Sequence, residues 1–221
     1  MSIERNVDID AAGYWDEYYK GRTPPPIPSQ FSVFVLNEIP DPGLIVELGC
    51  GSGRDSLFFA SQDILTVGVD ASASAIELCR QQARARGLRK ARFLQAHVED
   101  ENLADQLNGV TADVVTRAQS ALVYARFFVH AITDDQEVAL FRAAKTIFAD
   151  ASAYLAVEFR THRDVEQRKV TSGHYRRYVN PLEFSARARD EGFEITYFVD
   201  GFGFAKYRED DAHVARFILA R

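Results

Sequence analysis

The sequence has few of the residues that build cross-linked or metal-dependent domains. It contains two cysteines, one methionine and one tryptophan among 221 residues. Cys50 and Cys79 are too few for a disulfide framework, and they lack the spacing of a zinc site. We therefore expect a reducing, cytoplasmic setting and no bound metal.

Long apolar runs are also missing. No stretch approaches the roughly 20 residues with which a helix crosses a bilayer, and residues 1–10 lack the apolar core of a signal peptide. We expect no membrane span. Net charge is −6, so a nucleic-acid partner would need a local basic face, and none is expected. The length and the 47% hydrophobic content suit one well-buried α/β domain.

The most informative segment that is present covers residues 44–55, L-I-V-E-L-G-C-G-S-G-R-D. Its first five residues are apolar or β-branched except for one glutamate, which is typical of a strand buried on both faces of a parallel sheet. Gly49, Gly51 and Gly53 follow, and an apolar patch then begins a helix. Such a turn brings bare backbone close to a ligand.

Spacing separates the two ligand classes that use such a turn. A dinucleotide fingerprint requires a small third residue, but the position counted from Gly49 is Arg54. Instead, Glu47 stands two residues before the first glycine, and Asp70 ends the apolar run 65–69. A carboxylate at the C-terminal end of a strand can accept both hydroxyls of a ribose.

The run E-L-G-C-G-S-G followed by Asp70 resembles motif I and the next acidic position of class I S-adenosylmethionine (SAM)-dependent methyltransferases. The resemblance covers about residues 40–221. Two further runs, Y-A-R-F-F-V-H-A-I-T at 124–133 and G-H-Y-R-R-Y-V-N-P at 173–181, are similar to segments of a bacterial group of small-molecule and surface-glycan methyltransferases.

The periodicity of apolar residues predicts a fold that matches the one implied by this resemblance. Besides strands at 44–48 and 65–69, we predict strands at 91–95, 122–125, 154–159, 193–199 and 213–220, with helices at 71–86, 101–107, 135–149 and 181–191. The last two strands should pair antiparallel. The prediction is an α/β, doubly wound, mostly parallel seven-stranded sheet with a C-terminal antiparallel hairpin. Residues 1–43 would form a helical appendage to a Rossmann-like domain at 44–221.

The resemblance also implies the cofactor contacts. The glycine amides should face the methionine part of SAM, Glu47 its ammonium group and Asp70 the ribose. His97 stands where the superfamily often has an acid, so the adenine contact departs from the pattern. The residues expected to bind SAM, whose product is S-adenosylhomocysteine (SAH), are Glu47, Gly49, Cys50, Gly51, Gly53, Asp55, Asp70, Ala71, His97 and Val98.

Residues 10–20 predict a helix with four aromatic residues, Tyr14, Trp15, Tyr18 and Tyr19. They form either a stripe packed on the core or a lid over the cofactor cleft. In the second interpretation the Pro-rich segment 23–29 is a hinge.

Candidate catalytic groups follow the predicted fourth and fifth strands. An alcohol acceptor needs a general base, whereas a carboxylate, phosphate or thiolate needs none. The candidates are His130, Glu158 and His174, with Arg126 one helical turn before His130. Alternatively, His130 closes the start of a helix by hydrogen bonding.

Positive charge is concentrated after the predicted fifth strand. It forms either a solvated loop paired with acidic neighbours or a pocket for an anionic acceptor, because guanidinium groups match carboxylates and phosphates. The residues predicted to bind the acceptor are Tyr14, Tyr18, Arg126, Arg160, Tyr175, Arg176, Arg177 and Tyr207.

The sequence thus predicts a cytoplasmic monomer or homodimer that methylates an oxygen of a small, anionic or sugar-linked acceptor. Nucleic-acid methylation is less favoured, because no N/D-P-P-Y/F run follows residues 122–125 and no Pro-Cys pair is present. N- or S-methylation and a SAM-binding regulatory module without catalysis are also compatible with the sequence. A nicotinamide oxidoreductase is opposed by Arg54.

Overall fold

The computed structural model describes residues 11–22, 24–25, 27–39, 41–111, 120–147, 152–165 and 175–221. Helices and strands alternate along these ranges. In chain order they are α1 (Ala11–Tyr19), α2 (Gln30–Glu38), β1 (Leu44–Leu48), α3 (Arg54–Ser61), β2 (Leu65–Asp70), α4 (Ala73–Ala85), β3 (Ala91–Gln95), α5 (Leu103–Thr111), β4 (Ser120–Arg126), α6 (Asp134–Ile147), β5 (Ser152–Arg160), α7 (Pro181–Asp190), β6 (Glu194–Gly201) and β7 (Val214–Ala220).

The strands of these ranges form one seven-stranded sheet in the order β3-β2-β1-β4-β5-β7-β6. The first five are parallel, and β7 lies antiparallel between β5 and β6. The predicted fold class is confirmed, including the antiparallel pair at one edge. Because the strand order reverses at β1, the crevice beyond β1 and β4 is where ligands bind in such sheets.

Apolar side chains cover both faces of the sheet. One face packs on α5, α6 and α7 around Leu155 and Phe217. On the other face, Phe31 and Val35 of α2 are fully buried against Ile45 of β1. Helix α2 is therefore part of the core, while the predicted division of the chain at residue 43 stays a prediction.

A buried polar cluster joins α2 to the start of α3. Asp55 Oδ1 accepts a hydrogen bond from the Ser29 amide at 2.8 Å, and its Oδ2 accepts from the Ser29 hydroxyl at 2.7 Å and the Tyr124 hydroxyl at 2.8 Å. The Ser32 hydroxyl donates to Oδ1 at 3.1 Å. Burial of a carboxylate is costly unless the group is hydrogen-bonded, and these four donors offset that cost for Asp55 beneath α2.

Two helix starts follow the sequence signals closely. The Ser72 hydroxyl accepts from the Ala75 amide and caps α4, while Asn180 caps α7 ahead of Pro181. Among the described residues, no helix is long and apolar enough to cross a membrane, and no group of acidic, His and Cys side chains has the arrangement of a metal site.

Candidate active site

A cavity of about 350 Å³ opens beyond the C-terminal ends of the first four strands. Five of the ten residues predicted to bind the cofactor line it, namely Gly49, Asp70, Ala71, His97 and Val98. The position of this cavity is the one that the strand order favours for a ligand.

The floor of the cavity is the glycine turn after β1. Gly49 and Gly51 have φ of 72° and 52°, in the left-handed region that side chains rarely adopt. A β-carbon at Gly49 would overlap the Phe128 ring, and one at Gly51 would overlap the Tyr19 hydroxyl. Glycine is therefore required at both positions by backbone conformation and by space.

Asp70 holds this turn as well as facing the cavity. Its Oδ2 accepts from the Gly51 amide at 2.8 Å, and its Oδ1 accepts from the Ser72 amide at 2.9 Å. Burial raises the pKa of the Asp70 carboxyl, an effect that the two amides and His97 oppose. The carboxylate thus connects the β1 turn to the N-terminus of α4.

Helix α1 forms the wall opposite the sheet. Trp15 and Tyr19 line the cavity, and Tyr19 is buried deeply enough for its pKa to rise well above 10.0, with Asp70 adding to the effect. Asp16 accepts from the Ser74 amide at 2.8 Å and the Ser72 hydroxyl at 3.0 Å, which fixes α1 to the start of α4. Trp15 and Tyr19 belong to the four aromatic residues for which the sequence left open a lid over the cofactor cleft, whereas Asp16 was not expected to take part in the site.

The exit of β4 supplies a third wall. Phe127 and Phe128 line the cavity, and Phe127 has a φ of 57°. A bulky residue in the left-handed region costs about 1–3 kcal/mol and persists only where the surroundings hold it. Here the Phe127 amide donates to the Glu158 carbonyl at 2.7 Å. Sequence reasoning did not identify either phenylalanine as a site residue.

The remaining predicted cofactor residues lie beside or beneath the turn. Glu47 is buried against the Ser56 hydroxyl, and burial raises its pKa well above 4.5, with Asp55 as the next cause. Cys50 packs in an apolar cluster, and Gly53 faces Cys79. The position of Glu47 differs from its expected place at the SAM ammonium group, because β1 directs its side chain onto α3 rather than into the cavity.

The end of β3 gives the cavity an apolar and a polar side. Val98 is buried, whereas the His97 side chain is exposed and its amide donates to Asp100 at 2.9 Å. Glu99 accepts from the Gln136 amide group at 3.0 Å across the rim. Asp100 therefore stabilises the loop after β3.

The family of this chain follows from a match to a family model. A family model described as "Methyltransferase domain" matches residues 43–181, which is more than half of the chain. The chain belongs to this methyltransferase family. Methyltransferases of this fold use SAM. In this methyltransferase the cavity suits that cofactor, because it is lined by the glycine turn, the carboxylate of Asp70 and the apolar end of β3.

Solved structures share the fold of this methyltransferase at low identity. A SAM-dependent methyltransferase from Anabaena variabilis has a TM-score of 0.71 at 16% identity, with 100% of this chain and 99% of that chain covered. The CcbJ methyltransferase from Streptomyces caelestis has 0.68 at 16%, covering 95% and 98%. A magnesium protoporphyrin IX methyltransferase from Synechocystis, crystallised with SAH, has 0.60 at 16%, covering 86% and 79%.

His130, one of the predicted bases of this methyltransferase, is hydrogen-bonded within the fold. Its side chain is buried, and Nδ1 accepts a hydrogen bond from the Arg160 amide at 3.1 Å. Neutral imidazole then carries its proton on Nε2 and has no lone pair there for a substrate proton. This geometry disfavours the base role, which stays a prediction. It also differs from the alternative in which His130 closes the start of a helix, because the hydrogen bond joins His130 to the end of β5.

Glu158, the second predicted base, lies between two guanidinium groups. Its Oε1 accepts from Arg126 at 2.8 Å and its Oε2 from Arg216 at 2.7 Å, and the side chain is fully buried. Both oxygens of this carboxylate are therefore occupied by guanidinium groups within the fold. The third candidate, His174, lies outside the described residues.

Two of the predicted anion-binding arginines are used within the fold. Arg160 donates to Asp164 at 2.8 Å and Asp210 at 2.7 Å. Arg177 binds Glu137 and also donates to the Val129 carbonyl at 3.1 Å. Both contradict the prediction of an acceptor contact, because these partners saturate the charge of the two guanidinium groups.

The other predicted acceptor residues are distributed around the cleft. Tyr14 and Tyr18 stack on each other outside the cavity, with Arg22 over the Tyr18 ring at 3.7 Å. Tyr175 is exposed and Arg176 is half-buried. Tyr207 faces Arg54, whose Cζ lies 5.2 Å from the ring centroid.

Proposed function

We propose that this protein transfers a methyl group from SAM to an oxygen of a small acceptor that carries negative charge, such as an anionic metabolite or a sugar-linked precursor. The observation that carries the proposal is the position of Arg126. It ends β4 beside Phe127, which lines the cofactor cavity, and its guanidinium lies 4.1 Å from the Phe127 ring centroid.

The division of work between cofactor and protein follows from the chemistry. Bound SAM supplies the methyl group on a sulfonium, which is already an activated electrophile. The chain would therefore bind and orient: Asp70 holds ribose hydroxyls, Trp15 and Tyr19 cover the cavity, and Phe127 excludes water from the acceptor side. Alignment of the reacting atoms at about 3–3.5 Å is the main catalytic demand.

The buried ion pairs favour an acceptor that arrives already ionised. His130 and Glu158 are both committed to partners within the fold, and a carboxylate or phosphate oxygen requires no proton removal before attack. An alcohol would require a general base, and the two described candidates, His130 and Glu158, both have partners within the fold.

The test is a screen of metabolite extracts with methyl-deuterated SAM. The extract is divided by anion exchange before the reaction, and we expect the label on oxygen in the fractions that the exchanger retained, as assigned by tandem mass spectrometry. Label on nitrogen or sulfur, or only in neutral and cationic fractions, would contradict the proposal. Label in RNA or DNA would support nucleic-acid methylation instead.

We further propose action in the cytoplasm as a monomer or homodimer, in the small-molecule and surface-glycan group. The two cysteines are free thiols buried in the fold, which suits a reducing compartment. Size-exclusion chromatography with light scattering measures the oligomeric state directly.

His130→Ala should lower the rate of methyl transfer less than 10-fold, because the ring serves the Arg160 amide and not the acceptor. Loss of a general base would instead cost ~10²–10⁴-fold and shift the pH–rate profile. Steady-state kinetics across pH on the acceptor found by the screen provide the measurement. A large rate loss with an altered profile would restore His130 as the base.

Helix α1 should become more protected when the cofactor binds, because Trp15 and Tyr19 form one wall of its cavity. Hydrogen exchange over residues 10–30, with and without SAH, measures this. Asp16→Ala should speed exchange and weaken SAM binding several-fold, since it removes the contacts with Ser72 and Ser74.

Glu17→Ala is the matched control for this experiment. Glu17 lies on the same helix but pairs with Lys20 at the surface, so its loss should leave SAM affinity unchanged. Equal protection with and without SAH in the unmodified protein would contradict the lid interpretation and support the one in which α1 packs on the core.

A further inference from the structure

Two arginines of this fold reach the acceptor side of the sheet at the same level. The hydrogen bond between Tyr124 of β4 and Asp55 of α3 is 2.8 Å long and holds the start of α3 against β4. Arg54 precedes Asp55 at the first turn of α3, and Arg126 follows Tyr124 by two residues, on the same face of the strand. Both therefore extend toward the C-terminal edge, where the cofactor cavity opens.

Arg126 is anchored but not saturated. Its Nε donates to Glu158 at 2.8 Å, and within the described ranges its two terminal nitrogens have no hydrogen-bond partner. The side chain is 14% exposed, so these donors are open to a ligand. A guanidinium whose Nε is fixed and whose terminal nitrogens are open is oriented for a two-pronged contact with an oxyanion.

Arg54 is oriented by the Pro-rich segment. Its Nε donates to the Ile27 carbonyl at 2.8 Å and its Nη2 to the Pro28 carbonyl at 3.0 Å. Neither partner carries charge, so the positive charge of Arg54 is not neutralised by these contacts. Burial lowers the pKa of Arg54, and the positive charge of Arg126 lowers it further.

Positive charge exceeds negative charge in this cluster. Arg54, Arg126 and Arg216 contribute three guanidinium groups, and Asp55 and Glu158 contribute two carboxylates. Glu47 is a third carboxyl beside Asp55 and Arg126, but burial raises its pKa well above 4.5 and so opposes its negative charge. Charges removed from water require compensation. A single negative charge on a ligand placed between Arg54 and Arg126 would supply this compensation.

We propose that Arg54 and Arg126 together bind a carboxylate or phosphate monoester group of the methyl acceptor, with Phe127 and Tyr207 as aromatic walls beside it. This inference rests on the proposed function. The Phe127 ring lies between the proposed anion and the cofactor cavity. The Cζ atom of Arg126 is 4.1 Å from the centroid of this ring. The Cζ atom of Arg54 is 5.2 Å from the centroid of the Tyr207 ring. Aromatic walls and paired guanidinium groups fit a planar, anionic small molecule.

Binding of benzoate tests the proposal without knowledge of the acceptor. Titration calorimetry of the SAH-saturated protein should show benzoate binding at least ~10-fold more tightly than benzamide, which has the same shape and no charge. Inorganic phosphate should compete with benzoate. Arg54→Met and Arg126→Lys should each weaken benzoate binding ~10-fold or more, and lysine retains the charge beside Glu158 while losing the planar fork.

Arg89→Met is the control, because Arg89 is exposed between α4 and β3. It should bind benzoate like the unmodified protein. Equal affinities for benzoate and benzamide, or unchanged benzoate binding in a folded Arg54→Met protein, would overturn the site. An equal loss in Arg89→Met would show only a general charge effect and would overturn it too.

The two proposals fail in different ways. If the labelled screen yields an oxygen-methylated anion while benzoate does not bind, the function stands and this site is wrong. If benzoate binds as described but no anionic metabolite is methylated, the anion site stands and the acceptor chemistry is wrong. Unchanged SAH affinity in the arginine variants shows that the cofactor site has not been disturbed.

Discussion

Gly51→Val should abolish detectable SAM binding. Gly51 has a φ of 52°, and a β-carbon there would overlap the Tyr19 hydroxyl in the space above the turn. A branched residue in the left-handed region adds about 1–3 kcal/mol of backbone strain. It would also place two methyl groups where the cofactor must approach bare backbone. Titration calorimetry with SAM and SAH is the measurement.

Gly87→Val is a matched control for the conformational part of this effect. Gly87 has a φ of 66°, but a β-carbon there meets no atom within 4 Å. The substitution should therefore carry similar backbone strain and leave SAM affinity intact. Adding Tyr19→Ala to Gly51→Val relieves the overlap with Tyr19 and should still not restore binding. Retained SAM affinity in Gly51→Val would refute the cofactor position.

Asp70→Asn should weaken SAM binding by ~2–4 kcal/mol, because two ribose hydroxyls lose a charged acceptor. An aspartate that contacted only the ligand could be replaced with little effect on stability. However, Asp70 accepts hydrogen bonds from the Gly51 and Ser72 amides, so we also expect a lower melting temperature. Asn keeps one acceptor oxygen and is therefore preferred to Ala. An unchanged dissociation constant in the folded variant would remove Asp70 from the site.

The pH dependence of binding gives Asp70 a second signature. Burial raises the pKa of its carboxyl above 3.8, so acidification protonates it at a higher pH than an exposed aspartate. SAM affinity should therefore fall as the pH is lowered, and the fall should begin at a higher pH than for an exposed aspartate. A raised pKa in the folded state means that proton uptake here favours the folded protein, so this group does not cause unfolding as the pH is lowered. Asp70→Asn should remove this part of the affinity profile, whereas Asp63→Asn at the surface should not.

The sequence predicted those parts of the site that depend on one strand and the residues directly after it. The ends of β1 and β2 place Gly49 and Asp70 at the cavity because parallel strands direct their C-terminal ends to one edge. Strand periodicity and turn chemistry suffice for such positions. His97 and Val98 after β3 were expected from the resemblance to class I methyltransferases, and they also line the cavity.

Contacts between distant segments were not predictable in this way. Asp55 was expected at the cofactor, but its donors Ser29 and Tyr124 are 26 and 69 residues away. The partner of His130 is a backbone amide that no side-chain pattern reveals. Residue type shows what a side chain can bind, while only the packed fold determines which partner satisfies it.

The chain has a single tryptophan, and the fold places this residue in the cavity wall, 5.9 Å from the Tyr19 ring and 5.2 Å from the Tyr18 ring. Its indole emission is therefore a spectroscopic reporter of α1 that needs no label. Tyr18 and Tyr19 belong to the same helix, so light that they absorb is transferred to the indole as long as α1 remains folded. Stopped-flow fluorescence can then time the arrival of SAM and the departure of SAH at the cavity wall in the unmodified protein.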